Sequence, residues 1–93
     1  MTIQHKQSGN KGTFFINEEE EMVAELTYSM IPDGQMMIEH THVDEALKGG
    51  DLGYELVHAA VDHARSHKYT VIPLCRFAQA VLEKKPEFKD VLG

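Results

Sequence analysis

The chain has no tryptophan, a single cysteine and only three prolines among its 93 residues. One cysteine cannot pair within the chain, so a disulfide scaffold is excluded. Cys75 is expected as a free thiol in a reducing compartment. Basic residues are also scarce. Nine Lys and Arg stand against fifteen Asp and Glu, a net charge of −6, which lacks the electrostatic footprint of a nucleic-acid binder. Long apolar runs are missing too. No stretch approaches the roughly 20 apolar residues of a membrane helix, and the polar start Met1-Thr2-Ile3-Gln4-His5-Lys6-Gln7 has no signal-peptide core. A cytoplasmic protein with no membrane partner is expected. What is present is ordinary globular composition, 42% hydrophobic and 26% charged, which excludes a disordered tail. The length accommodates one domain, residues 1–93, with 1–12 a weakly ordered or edge-strand N-terminus.

Period-2 alternation marks the clearest strand, 22–30, where Met22, Ala24, Leu26, Tyr28 and Met30 form one side. The aromatic and β-branched Thr13-Phe14-Phe15-Ile16 reads as a shorter strand before it, and the run Glu18–Glu21 as a solvated turn. Residues 36–41 alternate again. A three-residue loop, Pro32-Asp33-Gly34, pairs Ile31 with Gln35, Met30 with Met36, Tyr28 with Ile38 and Leu26 with His40. Proline suits the first central position of a type I turn, and Gly34 supplies the left-handed residue after it. This register puts His40 on the buried face. An apolar stripe at helical spacing, Leu52, Leu56, Val57, Ala60, Val61 and Ala64, predicts a helix over about 51–67. Residues 69–72 read as a strand halted by Pro73, and 75–84 as a second helix with Phe77, Ala78, Val81 and Leu82 inward. The expected fold is α+β: an antiparallel β-meander, then a right-handed β-α-β crossover, then a C-terminal helix. The methionines at 22, 30, 36 and 37 are assigned to strand core and turn packing.

Between the third strand and the first helix lies Lys48-Gly49-Gly50-Asp51-Leu52-Gly53. A glycine-rich loop opening a helix can bind an anion, because free N–H groups and the dipole point at it and glycine lets the backbone approach. It can equally be a tight turn. The loop is neither a Walker sequence nor a G-x-G-x-x-G dinucleotide loop.

Three segments in order carry a resemblance: His40-Thr41-His42-Val43, then Leu47–Gly53 with Leu56-Val57, then Pro73-Leu74-Cys75-Arg76-Phe77. Together they resemble the small single-domain GCN5-related N-acetyltransferase-like proteins, over roughly residues 14–92. The resemblance implies that acetyl-CoA is bound. The glycine loop and helix start would hold the pyrophosphate, and the pantetheine arm would lie between two splayed strands. It puts Val43, Lys48, Gly49, Gly50, Asp51, Leu52, Gly53 and Tyr54 on the cofactor, and Cys75 and Phe77 near the acetyl end. The implied activity is acetyl transfer to an amine acceptor of unknown identity, directly or through Cys75.

Asp51 departs from the family pattern, which has glycine there. Its carboxylate would repel the pyrophosphate, a positive φ would be strained, and its side chain could cap the helix amides that phosphate needs. That departure supports the alternative of a non-catalytic module that binds CoA or a protein. Cys75 reads either as a nucleophile activated at a helix N-terminus or as a small buried hydrophobe. His40 reads either as a base that orients Cys75 or as a satisfied histidine at a sheet end. His63 and His67 have a metal-compatible i,i+4 spacing with no placed third ligand, and no metal is expected.

Overall fold

Five strands form a single sheet in sequence order: β1 (Ile3–Ser8), β2 (Lys11–Glu18), β3 (Glu21–Ile31), β4 (Gln35–Val43) and β5 (Thr70–Pro73). The protein is seen in a computed structural model that describes residues 2–47 and 50–92. The pairs β1–β2, β2–β3 and β3–β4 are antiparallel and β4–β5 is parallel. Helix α1 (Leu52–His67) is the crossover between the parallel strands, and α2 (Arg76–Lys84) and a 3-10 segment, Pro86–Val91, follow. This is the α+β architecture expected from the patterning. Of the two forms expected for residues 1–12, the chain takes the edge strand: Ile3–Ser8 pairs with β2 through a two-residue turn with Gly9 at φ 62°.

The hairpin loops explain the register. Glu19 and Glu20 both take positive φ, at 51° and 68°, which closes β2–β3 with a two-residue loop. The loop Pro32-Asp33-Gly34 pairs Ile31 with Gln35, Met30 with Met36 and Tyr28 with Ile38, as expected. Its conformation differs from a type I turn, since Asp33 as well as Gly34 has φ 71°.

Two irregularities correct the reading of the faces. A register shift between Ile16 and Asn17 breaks the alternation before β3 is established, and Met22 ends 44% exposed rather than in the core. Met36 is fully buried, while Met30 and Met37 are half-buried. The second shift is on β4. Tyr28 pairs with Ile38 but Thr27 pairs with His40, so Glu39 is the extra residue of a bulge. One added residue inverts every side chain beyond it. Leu26 therefore meets Thr41 rather than His40, and His40 is exposed. Without the bulge, two histidines would enter the core where Thr41 and Val43 now stand.

One face of the sheet carries the core. Phe14, Ile16, Leu26, Tyr28, Met36, Ile38 and Val71 pack against Leu56, Val57, Val61, Leu82 and Phe88. Each such side chain contributes about 1.5–3 kcal/mol on burial. Ala60 and Ala64 of α1, both fully buried, let the helix lie close on the sheet. Tyr28 lies flat on β2, so that a Cβ at Gly12 would fall 2.3 Å from its ring. At the C-terminal end, Arg65 holds the 3-10 segment to α1. Its guanidinium donates twice to the Asp90 carboxylate at 2.8 Å and once to the Glu87 carbonyl. The hydrogen bond from Arg65 holds the Asp90 carboxyl below its ordinary range.

Candidate acyl-transfer site

The parallel pairing of β4 and β5 is short. It runs from Gln35↔Thr70 to Ile38↔Pro73, and the Leu74 amide makes a last bond to the Ile38 carbonyl. Proline at 73 has no N–H with which to continue the ladder. Beyond Ile38, β4 runs on to Val43 paired only with β3 among the described residues, while β5 ends and the chain turns into α2. The two strands thus open into a cleft. The bulge at Glu39 sits where it begins.

Cys75 stands at the neck of this opening. It is the N-cap of α2, with extended backbone at φ −84° and ψ 137°. The Ala78 amide donates to its sulfur at 3.4 Å, and its thiol points across the opening to Thr41 Oγ1 at 3.6 Å. The sulfur is half-buried and feels the positive end of a nine-residue helix. Cysteine is an unusual choice here, since a Ser, Thr, Asp or Asn oxygen caps better.

The bulge decides which β4 residue reaches Cys75. Thr41 and Val43 project to the side of Leu26 and Ala24, where Cys75 lies. His40 and His42 project to the opposite face and stack on each other at 6.2 Å. His40 therefore does not orient Cys75, contrary to the register first inferred. Thr41 does, and the alternation of the strand gave it no such role.

The start of α1 meets the same cleft. Gly53 is buried beneath the ring of Phe77, where a Cβ would come within 2.7 Å of Cζ. Phe77 itself is 43% exposed and does not enter the core, in contrast to the expectation from helical spacing. With the neighbouring Leu74, 54% exposed, it makes an apolar wall beside Cys75. Asp51 is the N-cap of α1 at φ −99° and ψ 14°, and its side chain makes no capping hydrogen bond. Neither the strain nor the blocked amides expected at Asp51 is found. The first intrahelical bond runs from the Glu55 amide to the Asp51 carbonyl, and the Asp51 side chain accepts from none of the amides of Leu52, Gly53 and Tyr54.

Leu52 and Tyr54 pack partly against the core. Tyr54 faces Phe88 at 6.1 Å and lies beneath the Lys85 ammonium at 5.1 Å, so its ring packs toward the C-terminal segment of the chain. Lys85, which by its place after residue 84 suits the negative end of α2, thus also brings a positive charge near the start of α1. The Gly50 amide donates to the Leu47 carbonyl at 3.4 Å, and a Cβ at Gly50 would meet that oxygen at an ordinary 3.6 Å. Lys48 and Gly49 lie outside the described residues.

A splayed parallel pair, a bulge at its fork and a helix N-terminus at its floor define an acetyltransferase-type fold, and the comparisons agree. The model of the GCN5-related N-acetyl-transferase family matches residues 13–91, and the chain belongs to that family. A GCN5-like protein of the N-acetyltransferase class from Staphylococcus aureus is 34% identical, with TM-score 0.73 over 97% of this chain and 87% of that one. Two larger structures share the fold. A predicted acetyltransferase with acetyl-CoA from Clostridium acetobutylicum superposes at TM-score 0.68 and 10% identity, over 81% of this chain and 56% of that one. The ribosomal-protein-S18-alanine N-acetyltransferase of Escherichia coli superposes at 0.69 and 17% identity, over 84% of this chain and 53% of that one. The chain thus spans little more than half the length of these two. No helix among the described residues is long and apolar enough to cross a membrane.

Proposed function

We propose that the protein binds acetyl-CoA in the β4–β5 cleft and passes the acetyl group through Cys75 to an amine. The observation that carries this reading is the sulfur at the N-cap of α2, facing Thr41 across the cleft. In the first step the Cys75 sulfur attacks the acetyl carbonyl. A carbon–sulfur bond to Cys75 forms, the bond to CoA breaks, and the thiol proton leaves with CoA. In the second step the amine attacks the Cys75 thioester, an amide forms, and an amine proton returns to sulfur. The Ala78 N–H stabilises the sulfur whenever it carries negative charge. The amides of Leu52, Gly53 and Tyr54 offer donors to the pyrophosphate, and the wall of Leu74 and Phe77 lies against the acyl end. The proposed acceptor, an amine, must approach through the open side of the cleft. Acetyl-CoA and a reduced thiol coexist in the cytoplasm, which is where this reading places the protein. That a fold neighbour from Clostridium acetobutylicum is described with acetyl-CoA supports the choice of donor.

The direct test is a thermal-shift titration. A ligand that binds only the folded state stabilises it by about 2.7 kcal/mol at a hundredfold excess over Kd. A rise in melting temperature with acetyl-CoA is expected, and no rise at millimolar concentration would end the proposal.

Asp51 sets the charge at the phosphate end and favours a second reading, a non-catalytic module that binds CoA weakly or binds a protein. Asp51→Asn removes the carboxylate at a negative φ that needs no glycine. We expect CoA to bind about three- to tenfold more tightly, with the gain shrinking as salt rises, because the effect is Coulombic. Calorimetry at two ionic strengths checks this, and an unchanged affinity would show that Asp51 is no obstacle. Gly53→Ala probes the same N-terminal turn of α1 from its Phe77 side. The added methyl pushes aside the exposed tip of Phe77, a movement that costs the fold little, and alanine is the better helix former by up to about 1 kcal/mol. The melting temperature should hold or rise while affinity for acetyl-CoA falls. A variant that binds as tightly as the parent would remove Phe77 from the site.

A further inference from the structure

Three histidines meet where the last turns of α1 lie over the sheet, between β1 and the residue that leads into β5. His5 comes from β1, and His63 and His67 from the last turns of α1. The His5 ring stacks on Phe14 at 4.2 Å, and its Nε2 is 2.6 Å from the Tyr28 hydroxyl. The His63 ring lies edge-on to His5 at 4.8 Å and against His67 at 4.2 Å. Tyr69, which leads into β5, covers the outer side of His67 at 5.2 Å.

No counter-charge reaches the group. The only acidic neighbour on this part of α1, Asp62, is engaged by His58 at 3.2 Å and Arg65 at 3.4 Å. Among the described residues, no ion pair joins a carboxylate to His5, His63 or His67. The other groups facing them are neutral: Phe14 from β2, Tyr28 from β3 and Tyr69 before β5. Lys6, the nearest cation on β1, points to the other face, over Phe15. Apart from the His63 carbonyl, 2.9 Å from His67 Nδ1, and the Tyr28 hydroxyl, no described group is placed to offset two or three positive charges.

Strand β1 depends on this cluster more than any other strand does. It is an edge strand, and every residue after Ile3 is exposed along its length. Besides the ladder to β2, its attachment to the core consists of Ile3 and the His5 ring.

We infer that the histidine cluster is an acid-released latch: neutral, it pins β1 to the sheet, and protonated, it lets β1 detach while the rest of the fold persists. The electrostatics have the matching sign. Desolvation where the rings pack on their neighbours, and then the neighbouring histidines, hold His5 and His63 below the ordinary histidine range, although the His5 residue as a whole is exposed. Burial, with Tyr69 beside it, keeps the Tyr28 phenol protonated, so it donates to a neutral His5. A base with a lowered pKa in the attached state binds fewer protons there than in the detached state. Attachment is therefore complete above about pH 6.5 and is lost as pH falls below it.

Hydrogen exchange of the full chain between pH 7.5 and 5.5, corrected for intrinsic rates, tests the latch. Protection of the β1 amides should fall relative to β3 and β4 by up to about tenfold per pH unit for each proton taken up on opening. His67→Gln keeps an amide at an exposed position and removes one charge; it should flatten that dependence, and His5→Gln should abolish it. Two results would overturn the inference: β1 protection that falls no faster than that of β3, or loss of protection across all strands together, which would mean global unfolding. Should His5→Gln fail to fold, the wild-type and His67→Gln profiles still decide the matter.

Discussion

Cys75→Ser should leave the fold intact and eliminate acetylation of the protein by acetyl-CoA. The two halves of this expectation have different causes. The side chain at 75 caps α2 by accepting from the Ala78 amide, and a serine oxygen does this at least as well as sulfur. The melting temperature should be unchanged or slightly higher. Chemically the substitution is severe, because a hydroxyl without an adjacent base is a far poorer nucleophile than a thiol. Intact-mass spectrometry after incubation with acetyl-CoA should show one added acetyl group on the parent, removable by hydroxylamine, and none on the variant. An adduct that persists in Cys75→Ser would place the chemistry elsewhere in the chain. An acetyl-transfer rate to amines that survives the substitution, with no adduct on the parent, would instead mean direct transfer from CoA.

The largest effect on stability should come from Gly12→Val. A Cβ at this position would meet Cζ and Oη of Tyr28 at 2.3 Å and Cε1 at 2.6 Å. Tyr28 has no room to retreat. Its ring is buried, 1% exposed, and its hydroxyl is bound to His5. Overpacking of a core typically costs about 1–3 kcal/mol; here a buried hydrogen bond is lost as well, for about 1 kcal/mol more. The sum is a large fraction of the stability of a domain this small, commonly about 5–10 kcal/mol. Urea denaturation should show a loss of at least about 3 kcal/mol, or no cooperative transition. Gly12→Ala should cost less, and its cost should shrink again in a Tyr28→Leu background, because the two positions share one contact. Additive costs in that cycle would show that Tyr28 is not what Gly12 accommodates.

Which features could be read from the residues follows from how local their signals are. The β3–β4 register was legible because Pro32 and Gly34 restrict the loop to a few geometries. Helix α1 was legible because its stripe runs for more than three turns, from Leu52 to Ala64. Strand β1 carried a signal as well: Gly9-Asn10 is a two-residue hairpin sequence, and its flanks pair as Ser8 with Lys11. The polar alternation of residues 3–8 outweighed it, since an edge strand needs only one apolar contact to hold. The bulge at Glu39 had no such marker. No glycine or proline accompanies it, and it arises because the core accepts Thr41 and Val43 where an unbroken ladder would deliver His40 and His42. That single residue decided the site: the sulfur faces Thr41, and His40 faces away. Phe77 was misread for a related reason. Helical spacing finds the inward side of α2, but Phe77 is at its first turn, where the helix overhangs Gly53 rather than the core.

The short parallel pairing also sets when the cleft comes into being. Strands β1 to β4 join through tight loops, so their contacts close early and cheaply along the chain. The cleft instead requires position 35 to find position 70, with α1 already laid on the sheet. Pairings of that separation are the slow ones, because loop closure must precede any gain from contact. A meander of four strands is thus the natural kinetic precursor, and in it Cys75 has neither a helix to cap nor Thr41 to face. The thiol is expected to acquire its surroundings late in folding, and the rate at which a thiol reagent loses access to Cys75 during refolding measures when the site assembles.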